Sequence, residues 1–227
     1  MNALQDPKAL AVLSRLEALN AKQEPRILRH VLPRWIAQRL RGRTYEVMDD
    51  DFFRDKLVAL DPDKCRLIHL LCRSLGARRV VEVGTSFGVS TIYLAAAVRN
   101  HVGADGDGLV IGTEIEPSKV AAARAHIAEA GLSRFVDVRE GDVLQTLQQV
   151  PGPVDFVLLD IWTPLALPAL RLLVPQLRKG AIVVCDFVVQ AKREYADYLA
   201  YVRDPANGFE SATLPYRGGL ELSVRVA

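Results

Sequence analysis

The chain has 227 residues and a formal net charge of +2; half of its residues are apolar and a quarter are charged. This composition supports a packed core and excludes a disordered chain or one drawn to nucleic acid by bulk charge. Three cysteines (Cys65, Cys72, Cys185) form no C-x-x-C pair. No apolar run reaches membrane-spanning length, so a cytoplasmic protein with reduced thiols and no membrane partner is expected.

Met1 to Asn20 carries acids among its apolar residues and does not read as a signal peptide. Ala9, Val12, Leu13, Leu16 and Leu19 recur at helical spacing from Pro7 to Asn20. A second helix is expected to start at Pro25 and to kink at Pro33, with Ile27, Leu28, Val31, Leu32, Trp35, Ile36 and Leu40 on one face. Arg26, Arg29, Arg34, Arg39, Arg41 and Arg43 follow the other face without interleaved aromatics. That pattern favours a solvated or subunit-facing surface over a nucleic-acid partner. A polar link at Asp49-Asp50-Asp51 leads to a helix over Asp63–Leu75, stopped by Gly76.

From there strands and helices alternate. Strands are expected near 79–83, 109–114, 134–138, 154–160 and 181–185, and helices near 87–98, 117–130, 143–149, 165–177 and 190–203. Such alternation predicts a parallel sheet covered on both faces. Phe209–Leu214 and Leu220–Val226 read as a closing hairpin. In open sheets of this kind ligands bind beyond the C-terminal ends of the strands. Four of the five parallel strands end in acids there (Glu114, Asp142, Asp160, Asp186), and the first carries Glu82 within it.

The run Val80-Val81-Glu82-Val83-Gly84-Thr85-Ser86-Phe87-Gly88-Val89-Ser90 is a strand, a glycine turn and a helix start. Its spacing, Glu82-x-Gly84-x-x-x-Gly88, is not the G-x-G-x-x-G of a dinucleotide site. A carboxylate in that place suits a cationic ligand better than a pyrophosphate, and S-adenosylmethionine carries an ammonium and a sulfonium. This is the signature of class I methyltransferases, which the sequence resembles here. Glu114 can accept both ribose hydroxyls. Gly141-Asp142 suits an approach to adenine, with Asp142 also able to cap the following helix.

Within that class the chain resembles the catechol and caffeoyl-CoA O-methyltransferase group from about Leu60 onward. The matching pieces are Val81-Glu82-Val83-Gly84 with Ser90, Thr113-Glu114-Ile115, Gly141-Asp142, Leu159-Asp160-x-Trp162, Leu177-Arg178-Lys179-Gly180 and Gly219-Leu220-Glu221. The resemblance implies an α/β, Rossmann-like class I methyltransferase fold: a mostly parallel seven-stranded sheet with a C-terminal antiparallel hairpin, preceded by N-terminal helices. It divides the chain into a helical extension, 1–60, and an S-adenosylmethionine-binding domain, 61–227. The cofactor is expected on Glu82, Gly84, Ser86, Gly88, Ser90 and Glu114. Leu60, Ile115, Gly141, Asp142, Val143, Asp160 and Trp162 complete its pocket.

In that group two strand-end acids and an Asn hold a divalent metal, and a lysine serves as base. Here Asp160 and Asp186 remain, while Phe187 and Thr163 replace the Asn and the lysine. Phenylalanine cannot ligate a hard cation, and threonine cannot act as a base near neutral pH. Two carboxylates alone do not exclude Mg²⁺, yet a metal-independent reaction is favoured, with Asp160 and Asp186 as candidate bases. Lys192, Tyr216 and Arg217 border the acceptor pocket by resemblance, and no histidine is assigned a catalytic role. The expected reaction is methyl transfer to a small aromatic or apolar acceptor, most readily at oxygen. The alternatives are a Mg²⁺-dependent catechol-type enzyme and a cofactor-binding protein without transfer. A homodimer is the expected assembly, with the N-terminal helices as its interface or as a cap over the acceptor pocket.

Overall fold

A computed structural model describes residues 4–42 and 51–227. The expected Asp49-Asp50 link and Arg43 fall outside these residues. Seven strands form one sheet in the order β3-β2-β1-β4-β5-β7-β6. They are β1 (Arg79–Val83), β2 (Leu109–Glu114), β3 (Val136–Glu140), β4 (Val154–Leu159), β5 (Leu177–Asp186), β6 (Phe209–Leu214) and β7 (Leu220–Arg225). The first five run parallel, and β7 pairs antiparallel with both β5 and β6. The helices are α1 (Pro7–Leu40), α2 (Pro62–Leu75), α3 (Val89–Val102), α4 (Pro117–Glu129), α5 (Val143–Thr146), α6 (Thr163–Leu173) and α7 (Ala196–Arg203).

Alternation along each strand sorts side chains onto the two faces. Val80, Val110, Phe156, Leu158 and Val184 pack under α1 to α4, and Val81, Val83, Val157, Leu159 and Cys185 pack under α5 to α7. The three cysteines are free and buried. Among the described residues no helix is long and apolar enough to cross a membrane.

Several boundaries differ from the sequence reading, each for a local reason. Strand β3 starts two residues late because Ser133–Phe135 form a 3₁₀ turn. Strand β5 extends back to Leu177, so the helix before it is shorter than expected. The two expected N-terminal helices are one helix of 34 residues, with Pro25 and Pro33 inside it. Proline removes one hydrogen bond but does not by itself end a helix whose neighbours hold it.

Only the first half of α1 joins the core, through Ala9, Val12, Leu13 and Leu16. The second half leaves Leu28, Leu32, Trp35, Ile36 and Leu40 exposed. At its middle, Gln23 Oε1 accepts from the Leu57 amide (3.0 Å), and Glu24 lies 3.9 Å from Arg217 of the β6–β7 turn.

Candidate active site

The glycine turn between β1 and α3 is a packing device before it is a ligand site. Gly84 has φ +99°, and a Cβ placed there would stand 2.0 Å from the Asp160 carbonyl oxygen. The close approach that requires glycine is therefore to the chain's own β4 end. Gly88, at φ +87°, ends the turn and precedes α3 without a side-chain cap. Between them Ser86 sits at φ 49°, a region non-glycine residues rarely occupy and that tends to cluster at functional sites.

Glu82, Asp160 and Asp186 share one face of the sheet. Glu82 pairs in register with Leu158, and Leu158 with Val184. Asp160 and Asp186 lie two positions beyond these last two, so the strand period returns them to the same side. Glu82 is wholly buried, and its Oε2 accepts from the hydroxyls of Thr85 and Thr91. Its Oε1 has no partner, nor does the buried Ser86 hydroxyl. Burial, the largest cause, pushes Glu82 up to about 7 despite the neighbouring hydroxyls of Ser90, Thr91 and Thr85, which favour the charge.

Glu114 closes the turn from the neighbouring strand. Its Oε2 accepts from the Ser86 amide (2.9 Å), and its Oε1 accepts from the amides of Ile115 and Glu116. Ile115 projects into solvent beside it. Asp142 caps α5 by accepting from the Leu144 amide at 2.8 Å; Gly141 before it has φ +129°, and Val143 is buried. Leu57 to Leu60 lie over the turn and, with Gly84 to Phe87, Val89, Ser90 and Asp160, line a narrow cleft. Trp162 begins α6 and meets Phe53 edge-on at 6.1 Å; Phe53 meets Phe52, which stacks on His30 of α1 at 3.8 Å.

At the far end of the same face, Lys64 of α2 is 1% exposed, and its Nζ donates to Asp186 Oδ1 at 2.6 Å. Asp61 is 3.6 Å from the same Nζ. The sequence reading missed Lys64, although its spacing was informative. Lys64, Ile68 and Cys72 fall at i, i+4 and i+8 and are buried together, so a lysine stands on an apolar stripe. One ammonium faces two strand-end acids. Burial, then the charges of Asp186 and Glu82, push Asp160 up to about 8; burial also raises Asp186, against the opposing effect of Lys64.

Phe187 sits at φ 66°, and its amide donates to Asp186 Oδ1 at 2.7 Å. Asn tolerates this left-handed region better than Phe, by roughly 1 kcal/mol. Phe187→Asn is therefore expected to raise the urea midpoint slightly, since the ring is 44% exposed and little packing is lost. A midpoint that falls by a comparable amount would show that the ring's packing outweighs the backbone strain.

Two histidines bond to backbone carbonyls. His69 is buried with Nδ1 2.9 Å from the Tyr93 carbonyl, and burial lowers its pKa. His126 is nearer the site than the sequence suggested, with Nδ1 3.0 Å from the Phe87 carbonyl in the glycine turn.

Residues 81–187 match a methyltransferase-domain family. The catechol O-methyltransferase of Mycobacterium tuberculosis is 32% identical over 134 residues, 59% of this chain and 58% of that protein. That of Niastella koreensis is 28% identical over 137 residues, 59% of each chain. The chain thus spans under two thirds of the length of these curated relatives. Among solved structures, the O-methyltransferase TomG from Streptomyces achromogenes, involved in tomaymycin synthesis and solved in complex with SAM, superposes with a TM-score of 0.63. It is 26% identical over 74% of this chain and 82% of that one. Strand order, glycine turn and family match place the chain in the class I methyltransferase fold. Within that class its likeness is to the catechol O-methyltransferase group.

The donor set does not fit a divalent ion. Phe187 offers no side-chain oxygen, and Asp186 is already occupied by an ammonium. No cluster of three or more His, Cys, Asp or Glu suited to a metal occurs among the described residues. The cofactor end does fit a cationic nucleoside. The two unpartnered buried oxygens, on Glu82 and Ser86, and the strand-end carboxylate of Glu114 meet at one turn.

Proposed function

We propose that the protein transfers a methyl group from S-adenosylmethionine to a small aromatic or apolar acceptor, most readily at oxygen and without a divalent metal. The observation that carries this reading is the placement of Glu82, Ser86 and Glu114 at one glycine turn, with Asp160 and Asp186 on the same sheet face beyond it. The cofactor supplies an already activated methyl group, so the protein's task is alignment more than activation.

Glu114 orients the ribose, and Gly141, Asp142 and Ile115 border the adenine. Ser90 and the unpartnered Ser86 hydroxyl hold the amino-acid end, with Glu82 as the buried counter-charge behind them. Asp160 takes the acceptor proton. Trp162, Phe53 and Phe52 supply an aromatic wall that suits a flat acceptor. The mid-part of α1 caps this wall through Gln23, Glu24 and His30.

Calorimetric titration with S-adenosylhomocysteine tests the cofactor assignment. Glu114→Ala is expected to weaken binding about 10- to 100-fold by removing a charged hydrogen-bond acceptor. Unchanged affinity would count against the ribose role.

Binding should also release protons. Glu82 and Asp160 have pKa values raised by the fold, so they favour folding most below pH 4 and lose that contribution as pH rises through about 7 and 8. A cationic ligand reverses this by stabilising the carboxylates. S-adenosylmethionine should therefore raise the melting temperature more at pH 8.5 than at pH 6. Binding enthalpies at pH 7 should differ between phosphate and Tris; equal enthalpies would contradict proton release.

A homodimer through the apolar face at Leu28, Leu32, Trp35, Ile36 and Leu40 accounts for its exposure. Sedimentation of the chain beginning at Asp51 should then show a monomer, about two fifths of the mass of the assembly formed by the 227-residue chain. A full-length protein that sediments as a monomer would refute the dimer.

A further inference from the structure

We propose that the Lys64 ammonium is the resident cation of the acceptor end: a tethered charge that positions Asp186 and holds the ground a divalent ion would need beside Asp160. Three observations converge on it. Lys64 is 1% exposed on a helix packed over the same sheet face as both acids. Its Nζ lies 2.6 Å from Asp186 Oδ1, and its charge also acts on Asp160. The remaining oxygen donor that an ion would need is absent, because Phe187 follows Asp186.

The chemistry of the two cations differs in a way that bears on the acceptor. A hard divalent ion takes about six oxygens, leaves some positions to waters or substrate, and can chelate two neighbouring substrate oxygens at once. An ammonium has three donors, and here one is fixed on Asp186. It cannot bring two acceptor oxygens into one coordination sphere. The acceptor class that follows is a compound with a single reacting hydroxyl or heteroatom, held by shape against the aromatic wall, in place of a vicinal diol held by chelation. This conclusion about the acceptor rests on the methyl-transfer reading; the conclusion about the cation does not. Lys64 is a positioning residue in this account, acting through Asp186.

The test is Mn²⁺ titration, followed by electron paramagnetic resonance, of the full-length protein saturated with S-adenosylhomocysteine; it needs no turnover. Wild type is expected to show no saturable Mn²⁺ binding. Lys64→Met combined with Phe187→Asn removes the ammonium and supplies a carbonyl. That variant is expected to gain one saturable site, lost again on adding Asp186→Ala. Should it fail to fold, Phe187→Asn alone, which keeps Lys64, is expected to bind no Mn²⁺. Saturable binding in wild type or in Phe187→Asn that disappears with Asp186→Ala would overturn the proposal. So would a folded double variant that gains no site. Absence of methyl transfer with every acceptor tried, alongside these metal-binding results, would refute the methyl-transfer reading and leave the cation assignment standing.

Discussion

Gly84→Ala is expected to cost about 3 kcal/mol or more and to abolish cofactor binding. Two penalties combine. A Cβ at this position would lie 2.0 Å from a backbone oxygen, which no rotamer change can relieve. The φ of +99° adds a further strain of about 1–2 kcal/mol for any L side chain. The relief available is separation of β1 from the end of β4, which would also displace Asp160. Gly88→Ala is the control. Its Cβ would meet Ala123 at 3.4 Å, a tight contact with a small side chain, so φ dominates its cost and about 1–2 kcal/mol is expected. Urea denaturation of the two variants separates the effects. Equal losses would show that the turn tolerates a Cβ at both positions and that the contact with the Asp160 carbonyl is not what fixes Gly84.

Asp160→Asn is expected to lower kcat by about 10²- to 10⁴-fold, the range for removal of a general base. Its stability should stay unchanged or rise. Asp61, Asp160 and Asp186 face one ammonium, and Lys64 is already bonded to Asp186, so replacing Asp160 removes surplus negative charge. Asp186→Asn should behave in the opposite way. It removes the 2.6 Å partner of the buried Lys64 and leaves only the half-exposed Asp61 at 3.6 Å, so the cost should lie towards the low end of the roughly 3–5 kcal/mol typical of breaking a buried pair. The pH profile supplies the second readout. With its pKa near 8, about a tenth of Asp160 is ionised at pH 7. The wild-type kcat/KM for S-adenosylmethionine, which reports the ligand-free protein, should then climb about tenfold per pH unit below pH 8 and level off above it. The residual rate of Asp160→Asn should lack that rise. A wild-type profile already flat from pH 6 would remove Asp160 as the base.

Much of the sheet was readable because its signals are local. Strands β1 and β2 fall where β-branched runs meet glycine, and α2 ends at Gly76 in the left-handed conformation its sequence predicts. The N-terminal helix was harder. Pro25 reads as a helix start and Pro33 as a kink, yet tertiary contacts from Gln23, Glu24 and His30 carry one helix through both. The strand-end acids were visible from topology alone, since alternation fixes where strands end. Their environment was not. Nothing within ten residues of Asp186 points to Lys64, which is 122 positions away and becomes its partner only when α2 packs on the sheet. The glycine turn showed the same limit. Its spacing disfavoured a dinucleotide site, but only the fold shows that Gly84 makes room for Asp160. Glu82 likewise proves to be buried behind the turn, tied to Thr85 and Thr91.

The most direct test of methyl transfer is mass-spectrometric detection of S-adenosylhomocysteine release and acceptor methylation. Wild type and Asp160→Asn would be assayed on a panel of monohydric phenols and catechols, each with and without EDTA. Transfer to at least one monohydric phenol is expected, unaffected by EDTA and lost in Asp160→Asn. Turnover confined to catechols and abolished by EDTA would contradict it and restore chelation. Tight cofactor binding with no product from any acceptor would mean that the fold holds its ligand for another purpose.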